Sequence, residues 1–348
     1  MANKLKKGTI AGIILVLILV ITAAIIIPKL YVKFIKENTN VEQKTYLYIP
    51  TGANFDQVRD SIAKHNLLID SSSFYGLAKD RDYGSKIKPG KYPFKKGMNN
   101  REILNMLVAG NQEPVAISFR NVRLKNNLAG MVSKKLEFDS ATLVTLLDSA
   151  EFVKSYGFNT DNIYTMFIPN SYEMYWNITA QDFFIRMNKE YTKFWDTDRL
   201  KKAADLQLTP QEVTILASIV DSEALMDKEM PTIAGLYLNR LNNGIKLEAD
   251  PTVIFANNDF TIRRVLNRHL TKDSPYNTYR NKGLPPGPIT MPSINAIDAV
   301  LSPEKHNYIY MCAKEDFSGY HNFATNLSEH TANARRFQQA LNERNIKK

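Results

Sequence analysis

The feature that most restricts the fold is an uncharged, apolar run near the N-terminus, residues 8–27. Its length matches the roughly twenty residues that a helix needs to cross a hydrocarbon layer of about 30 Å. Lys4, Lys6 and Lys7 precede the run, so the positive-inside rule predicts a cytoplasmic tail at residues 1–7. We therefore expect a transmembrane helix at residues 8–28. The rest of the chain should lie outside the cytoplasmic (inner) membrane.

A cleaved signal peptide is the alternative interpretation of this run. The apolar stretch is longer than the usual core of a signal peptide, and residues 25–29 lack a small-residue cleavage site. These two observations favour a single-pass anchor, whereas a mature chain that begins near Lys33 would support the signal peptide.

The composition limits the class of the remaining chain. With 348 residues, of which 44% are hydrophobic, the protein can form two or three folded units with a sizeable core. A single cysteine, Cys312, excludes an internal disulfide and a multi-thiolate metal site, and no other ligand cluster has suitable spacing. We expect no metal and no cofactor. The formal charge of +10 is spread along the chain without a nucleic-acid-binding motif, so we expect no nucleic acid partner.

The pattern of apolar and turn residues predicts an α+β protein with two domains. Residues 29–42 are polar and are predicted to form a stalk. A small α/β domain is predicted over residues 43–118, with strands at 46–49 and 115–119, a turn at 88–92 that leads into a short strand, and helices at 54–65 and 99–110. From residue 119 to 348 the pattern is mainly helical with a few strands. The predicted elements are helices at 124–136, 141–147, 180–204 and after Ser293, and strands at 308–312 and near 321–323.

One further predicted helix carries the candidate catalytic residue. Thr209-Pro210-Gln211-Glu212 is a capping box with proline in the first turn, which predicts a helix from Pro210 through Glu223. At about 100° per residue, Glu223 continues the apolar face of this helix, and Asp221 lies on the opposite side.

A carboxyl group on an apolar face is costly to ionise, so the pKa of Glu223 should rise. A raised pKa lets a carboxylic acid hold a proton near neutral pH and donate it to a leaving oxygen. The alternative is that Glu223 points into water at the helix end or pairs with Arg240.

Several segments follow in a specific order: 216–223 LASIVDSE, 237–241 YLNRL, 250–253 DPTV, 276–279 YNTY and 283–289 GLPPGPI. Together they closely resemble the endolytic murein transglycosylases, the YceG-like or MltG family. The resemblance covers nearly everything after the stalk. It implies a membrane anchor, a LysM-like domain at residues 43–118 and a catalytic domain at residues 119–348.

The resemblance also implies the chemistry. The family's acid lies in a segment usually written IVEKE, which here is IVDSE, residues 219–223, so that Glu223 keeps the glutamate and is the catalytic residue. A lytic transglycosylase cleaves the bond between N-acetylmuramic acid (MurNAc) and N-acetylglucosamine (GlcNAc) of peptidoglycan and leaves a 1,6-anhydro-MurNAc end. The family resemblance further implies a terminase of nascent glycan strands, with peptidoglycan synthases and division or elongation machinery as partners.

Other residues of these segments are candidates for binding the glycan. Tyr276 and Asn277 resemble a Tyr-Asn pair that recurs in transglycosylase clefts. For the remaining candidates, a structural role is an equal alternative to binding the glycan: Asn239, Arg240, Asp250 and His321.

Two other functions remain open from the sequence. A lysozyme-type muramidase would hydrolyse the same bond and release reducing ends. A non-catalytic, membrane-tethered scaffold would bind glycan through its small domain, and Glu223 would then be incidental.

Overall fold

The computed structural model describes residues 2–120 and 122–344, which form two compact units. The first unit contains the chain up to Val115 together with Glu173–Ile178, and the second contains Ala116–Tyr172 and the chain from Thr179 onward. The segment 173–178 thus belongs with the N-terminal unit, although the sequence pattern places it in the predicted second domain, residues 119–348.

The N-terminal apolar run forms the helix α1 (Ala2–Phe34). Its segment Gly8–Phe34 reaches a mean hydropathy of 3.3 in its most apolar window, and none of that window is buried. By length and composition this helix is compatible with a membrane anchor. The helix does not end near Pro28 but continues for another turn and a half into the segment that the sequence predicts as a stalk.

The end of that predicted stalk packs into the first unit. Asn38 and Thr39 are buried, and the Asn38 side-chain amide donates to the Asp70 carbonyl oxygen (2.8 Å) and the Asn100 side-chain oxygen (2.6 Å). Residues 37 and 39 also form isolated bridges to residues 99 and 68. The end of the predicted stalk is therefore part of the packed first unit.

After α1, the first unit has the elements β1 (Thr45–Ile49), α2 (Phe55–Lys64), α3 (Ser71–Asp80), β2 (Gly90–Phe94) and α4 (Asn100–Ala109). β1 and β2 pair antiparallel, from Thr45↔Phe94 to Ile49↔Gly90. Asn54 and Asn99 each close a capping box, and Gly110 at φ 76° ends α4 in the left-handed conformation that glycine tolerates. The sequence pattern did not predict α3, because its three serines and Gly76 weaken the helical signal.

The second unit begins with β3 (Val115–Ser118), which pairs with β4. The other elements are α5 (Lys125–Ser133), α6 (Ser140–Asp148), α7 (Ala150–Lys154), β4 (Ser171–Met174), α8 (Ala180–Phe194), α9 (Thr197–Asp205), α10 (Pro210–Glu223), α11 (Met230–Asn242), α12 (Asp250–Asn257), α13 (Asn267–Leu270), α14 (Ile294–Leu301), β5 (Tyr310–Ala313), β6 (His321–Ala324) and α15 (Leu327–Glu343). The single helix predicted over 180–204 is wrong. The backbone leaves helical geometry at Trp195, and Asp196 caps α9 by accepting from the Arg199 amide.

The helix α10 lies in the core of the second unit. It begins at Pro210 and ends at Glu223, and Thr209 and Glu212 form the predicted capping box. Eight consecutive residues, 213–220, are buried, so neighbouring elements cover this stretch on every side. The covering helices are α9, α11, α12 and α14. Burial ends abruptly at Asp221, which places the last turn of the helix at the boundary of the core.

A close contact of α11 gives a test of this packing. A Cβ added at Gly235 would lie 2.4 Å from the Glu304 carbonyl oxygen, whereas one added at Gly130 of α5 would meet no atom within 4 Å. We expect Gly235→Ala to lower the free energy of unfolding by about 1–3 kcal/mol, because the backbone must move apart. Gly130→Ala, the matched control, should raise it by about 0.5–1 kcal/mol through helix propensity. Thermal unfolding of both variants in detergent checks this, and equal melting temperatures would contradict the close contact.

Candidate active site

A cavity of about 330 Å³ lies at the C-terminal end of α10, in the second unit. Glu223 from α10, Tyr237 and Arg240 from α11, and Asp250 at the start of α12 contribute to its lining. The rest of the lining comes mainly from Tyr279, from residues 309–313 around β5, and from His321 and His330. Four residues that the sequence singled out are thus brought to one cavity: Glu223, Arg240, Asp250 and His321.

The carboxyl group of Glu223 is half-buried, and one of its oxygens, Oε1, accepts a hydrogen bond from the Tyr237 hydroxyl at 3.1 Å. Burial and, to a smaller extent, the negative charge of Asp250 raise the pKa of Glu223 to about 7, although the hydrogen bond from Tyr237 opposes both effects. Near neutral pH this carboxyl group is therefore poised between its acid and its base form, as a group that both donates and accepts a proton must be.

Tyr237 is 2% exposed and lies on the face of α11 that packs against α10. Burial raises the pKa of its hydroxyl well above the ordinary value, and the charge of Glu223 raises it further. The phenol therefore stays neutral and acts as a hydrogen-bond donor to Glu223. Its position fixes the orientation of the carboxyl group within the cavity.

Asp250 and Tyr279 form a second carboxyl–phenol pair at the cavity. The Tyr279 hydroxyl donates to Asp250 Oδ1 at 2.7 Å. Asp250 is the first residue of α12, where the positive end of the helix dipole favours a carboxylate. The pair thus holds a second acidic group close enough to Glu223 to influence its pKa.

Arg240 lines the cavity, but its donors bind the protein itself. Nε donates to the Lys246 carbonyl oxygen (2.7 Å), Nη1 to the Ile309 carbonyl oxygen (2.6 Å), and Nη2 forms an ion pair with Glu248 at 2.5 Å. The buried guanidinium therefore joins α11 to the following loop and to Ile309, the residue that precedes β5. It forms part of the cavity wall through these contacts.

Asn239 is also committed to the protein scaffold. Its side-chain amide donates to the carbonyl oxygens of His306 (2.8 Å) and Tyr308 (3.0 Å). It does not line the cavity, so these contacts favour the structural alternative that the sequence left open.

His321 is held by a buried acid that the sequence did not single out. Its Nδ1 lies 2.7 Å from Glu229 Oε2, and its backbone amide donates to Glu229 Oε1 at 2.8 Å. Glu229 is 5% exposed. Because a carboxylate at Nδ1 favours the tautomer with a proton there, the neutral ring keeps Nε2 as an acceptor.

Tyr276 and Asn277 do not line the cavity, contrary to the expectation of a Tyr-Asn pair beside the acid. Asn277 has no exposed surface, its amide donates to the carbonyl oxygens of Leu270 and Lys272, and its side-chain oxygen accepts from the Tyr279 amide. The Tyr276 ring packs on Phe255 with centroids 4.7 Å apart. These two residues shape the loop that carries Tyr279 to the cavity.

The sequence contained signals for two of the residues that were not predicted. Ile233, Tyr237 and Arg240 recur at helical spacing, which would have placed the Tyr237 side chain on one face with Arg240. Tyr279 belongs to the same YNTY segment as Asn277. Glu229 gave no signal, because an acid in the charged turn before α11 looks like an exposed residue.

The comparisons with known proteins agree with this architecture. A family model described as the YceG-like family matches residues 47–336. An endolytic murein transglycosylase of Bacillus subtilis (strain 168) is 26% identical over 333 residues, which cover 90% of this chain and 91% of the relative. An endolytic murein transglycosylase of Streptococcus pneumoniae serotype 2 (strain D39) is 24% identical over 332 residues. The match covers 85% of this chain but only 59% of the pneumococcal protein.

A crystal structure of a YceG-like protein from Listeria monocytogenes shares the fold. Its TM-score is 0.55 at 23% sequence identity, and the match covers 84% of this chain and 99% of that chain. The family match spans most of the sequence, including every segment on which the resemblance was based, so the resemblance is confirmed. The chain belongs to the YceG-like family.

Proposed function

We propose that this protein is a membrane-anchored, endolytic lytic transglycosylase that cleaves the MurNAc–GlcNAc bond of nascent peptidoglycan strands. The observation that carries the proposal is the Glu223 carboxyl group, which lies in a cavity with its pKa raised to about 7. The names of the relatives, endolytic murein transglycosylases, support the substrate class.

In this mechanism one carboxyl group serves twice. Glu223 donates its proton to the oxygen that leaves C1 of MurNAc, and the departing sugar becomes an alcohol. The resulting carboxylate then accepts the proton of the MurNAc C6 hydroxyl, while the oxygen of that hydroxyl bonds to C1. The products are a 1,6-anhydro-MurNAc end and a free GlcNAc end. Glu223 is protonated again, and no water is consumed.

Neighbouring groups tune this cycle. The Tyr237 hydroxyl stabilises the carboxylate form of Glu223 after proton transfer, and the charge of Asp250 favours the protonated form before it. Asp250, held by Tyr279, also supplies negative charge near the oxocarbenium-like centre, where positive charge develops at C1. His321 presents its ring at the cavity as a sugar-binding group, positioned by Glu229.

We propose that α1 anchors the enzyme as a single-pass helix in the cytoplasmic membrane, with residues 1–7 inside and the catalytic unit outside. The apolar, unburied surface of α1 supports the anchor, and the lysines that precede it support the orientation. Cutting strands at this membrane would bring the enzyme near peptidoglycan synthases and the division or elongation machinery, which we propose as its partners.

A muramidase is the second candidate function, and one observation favours it. Asp250 places a second carboxylate at the cavity, as a hydrolase needs to activate water or to act as a nucleophile. The two reactions differ by one water in the mass of the released end. Mass spectrometry of digested, uncrosslinked glycan strands therefore separates anhydro ends from reducing ends.

Replacing the proposed acid is the first test. Glu223→Gln keeps the shape of the side chain but cannot carry the proton, so we expect the rate of anhydro-end formation to fall by about 100- to 10,000-fold. Glu343→Gln, an exposed glutamate at the end of α15, is the matched control and should retain full activity. Product analysis after equal digestion times gives the rates. Undiminished release by Glu223→Gln, with an unchanged melting temperature, would reject the assignment.

The pH dependence tests the influence of Asp250. Because Glu223 must be protonated to start the reaction, kcat/KM should fall as the pH rises through about 7. Asp250→Asn removes a charge that raises the pKa of Glu223, so this fall should move to lower pH. The profile is measured on glycan strands from about pH 4 to about pH 9, a range that brackets the pKa of Glu223. An unmoved basic limb in Asp250→Asn would show that Asp250 does not act on Glu223.

The hydrogen bond from Tyr237 gives a shift in the opposite direction. Tyr237→Phe removes the donor that lowers the pKa of Glu223, so the basic limb should move to higher pH. We also expect kcat to fall by about 10- to 150-fold, because a hydrogen bond to a charged group is worth about 1.5–3 kcal/mol. The same pH profile and a kcat measurement at its maximum test both effects. A basic limb that moves down would contradict the proposed role of the phenol.

A further inference from the structure

A second cavity of about 350 Å³ lies beside the first in the catalytic unit. Ser222 and Pro251 line it, and the adjacent residues Glu223 and Asp250 line the first cavity. Ser222 and Glu223 are consecutive residues of α10, and Asp250 and Pro251 are consecutive residues of α12, so the two cavities are neighbours.

The lining of the second cavity is amphipathic. An apolar surface is formed by Ile254, Phe255 and Phe260. The ring centroids of Phe255 and Phe260 lie 6.4 Å apart. Asp221 and Thr290 add polar groups. Asp221 Oδ1 accepts hydrogen bonds from the Ser293 hydroxyl (2.5 Å) and amide (3.3 Å), so its carboxylate is fixed in place. Apolar rings with polar groups at the edge suit a sugar, whose ring faces are apolar and whose rim carries hydroxyls.

Arg123 supplies the positive charge of this cavity, and Asp221 supplies a negative one. The guanidinium carbon of Arg123 lies 4.5 Å from the centre of the Phe260 ring, and the side chain is exposed. Among the residues that the structure describes, no ion pair includes Arg123, whereas Arg240 pairs with Glu248. Packing on a ring restrains the guanidinium plane, and its N–H donors remain able to bind a planar anion such as a carboxylate.

We propose that this second cavity is the subsite for a peptide-bearing sugar next to the bond that is cleaved, and that Arg123 binds a carboxylate of the attached stem peptide. The inference rests on the proposed function, because it takes the ligand to be a murein glycan strand. Endolytic cleavage requires the strand to be held on both sides of the scissile bond, and the position of this cavity beside Glu223 meets that requirement. The positive charge of Arg123 complements the acidic substituent.

The test is a binding measurement that does not depend on cleavage. The full chain with Glu223→Gln is titrated in detergent with a murein tetrasaccharide that carries stem peptides, and with the same tetrasaccharide without peptides. We expect Arg123→Ala to weaken binding of the peptide-bearing fragment by about tenfold, the loss typical of one charged hydrogen bond, and to leave the bare fragment unaffected. Arg335→Ala, an exposed arginine of α15 outside both cavities, is the matched control.

Two more variants separate the contributions of the site. Arg123→Lys keeps the charge but loses the planar fork, so its affinity for the peptide-bearing fragment should lie between those of the parent and Arg123→Ala. Phe260→Ala removes the apolar surface and should weaken binding of both fragments. The subsite is overturned if the Glu223→Gln protein binds the two fragments with equal affinity. It is also overturned if Arg123→Ala weakens the binding of both fragments equally.

Cleavage by the protein that retains Glu223 is measured separately. If Arg123-dependent binding of the peptide persists while no anhydro ends are formed, the subsite stands and the transglycosylase proposal fails. If anhydro ends are formed at the parent rate by Arg123→Ala from both peptide-bearing and bare strands, the transglycosylase proposal stands and the subsite fails.

Discussion

The candidate site depends on a carboxyl group that lies where the core of the second unit ends. Eight buried residues of α10 hold the helix rigidly, and Glu223 follows three positions after the last of them. Removing this carboxyl group from water raises its pKa, whereas the Tyr237 hydroxyl limits the rise by binding the charged form. The balance between burial and one hydrogen bond keeps both protonation states accessible near neutral pH.

The elements around Glu223 are held by polar groups that face inward. The Arg240 guanidinium joins α11 to its following loop and to the residue that precedes β5, and Asn277 fixes the loop that presents Tyr279. Buried polar side chains of this kind are costly unless every donor finds a partner, and here the partners are mainly backbone carbonyl oxygens. These buried contacts set the shape of the cavity. The polar groups at its surface remain accessible to a ligand.

Much of the local structure was predictable because it depends on neighbours in sequence. The capping residues Asn54, Asn99 and Thr209 begin helices where predicted, since a cap needs only the next three residues. The division of 180–204 into two helices was missed, because the apolar pattern continues through the break at Trp195. The sequence did not single out Tyr279 as the residue of this loop that lines the cavity, because the direction of a loop side chain depends on contacts distant in sequence.

By itself the sequence determined the apolar N-terminal helix, the helix that ends at Glu223 and the family, because each depends on composition, short-range spacing or the order of motifs. Only the tertiary structure decided which side chains share the cavity with Glu223. Tyr237 lies 14 positions from Glu223, and Glu229 lies 92 positions from His321. Such pairs form when helices and strands pack, and their hydrogen bonds and charges leave no periodic pattern along the chain.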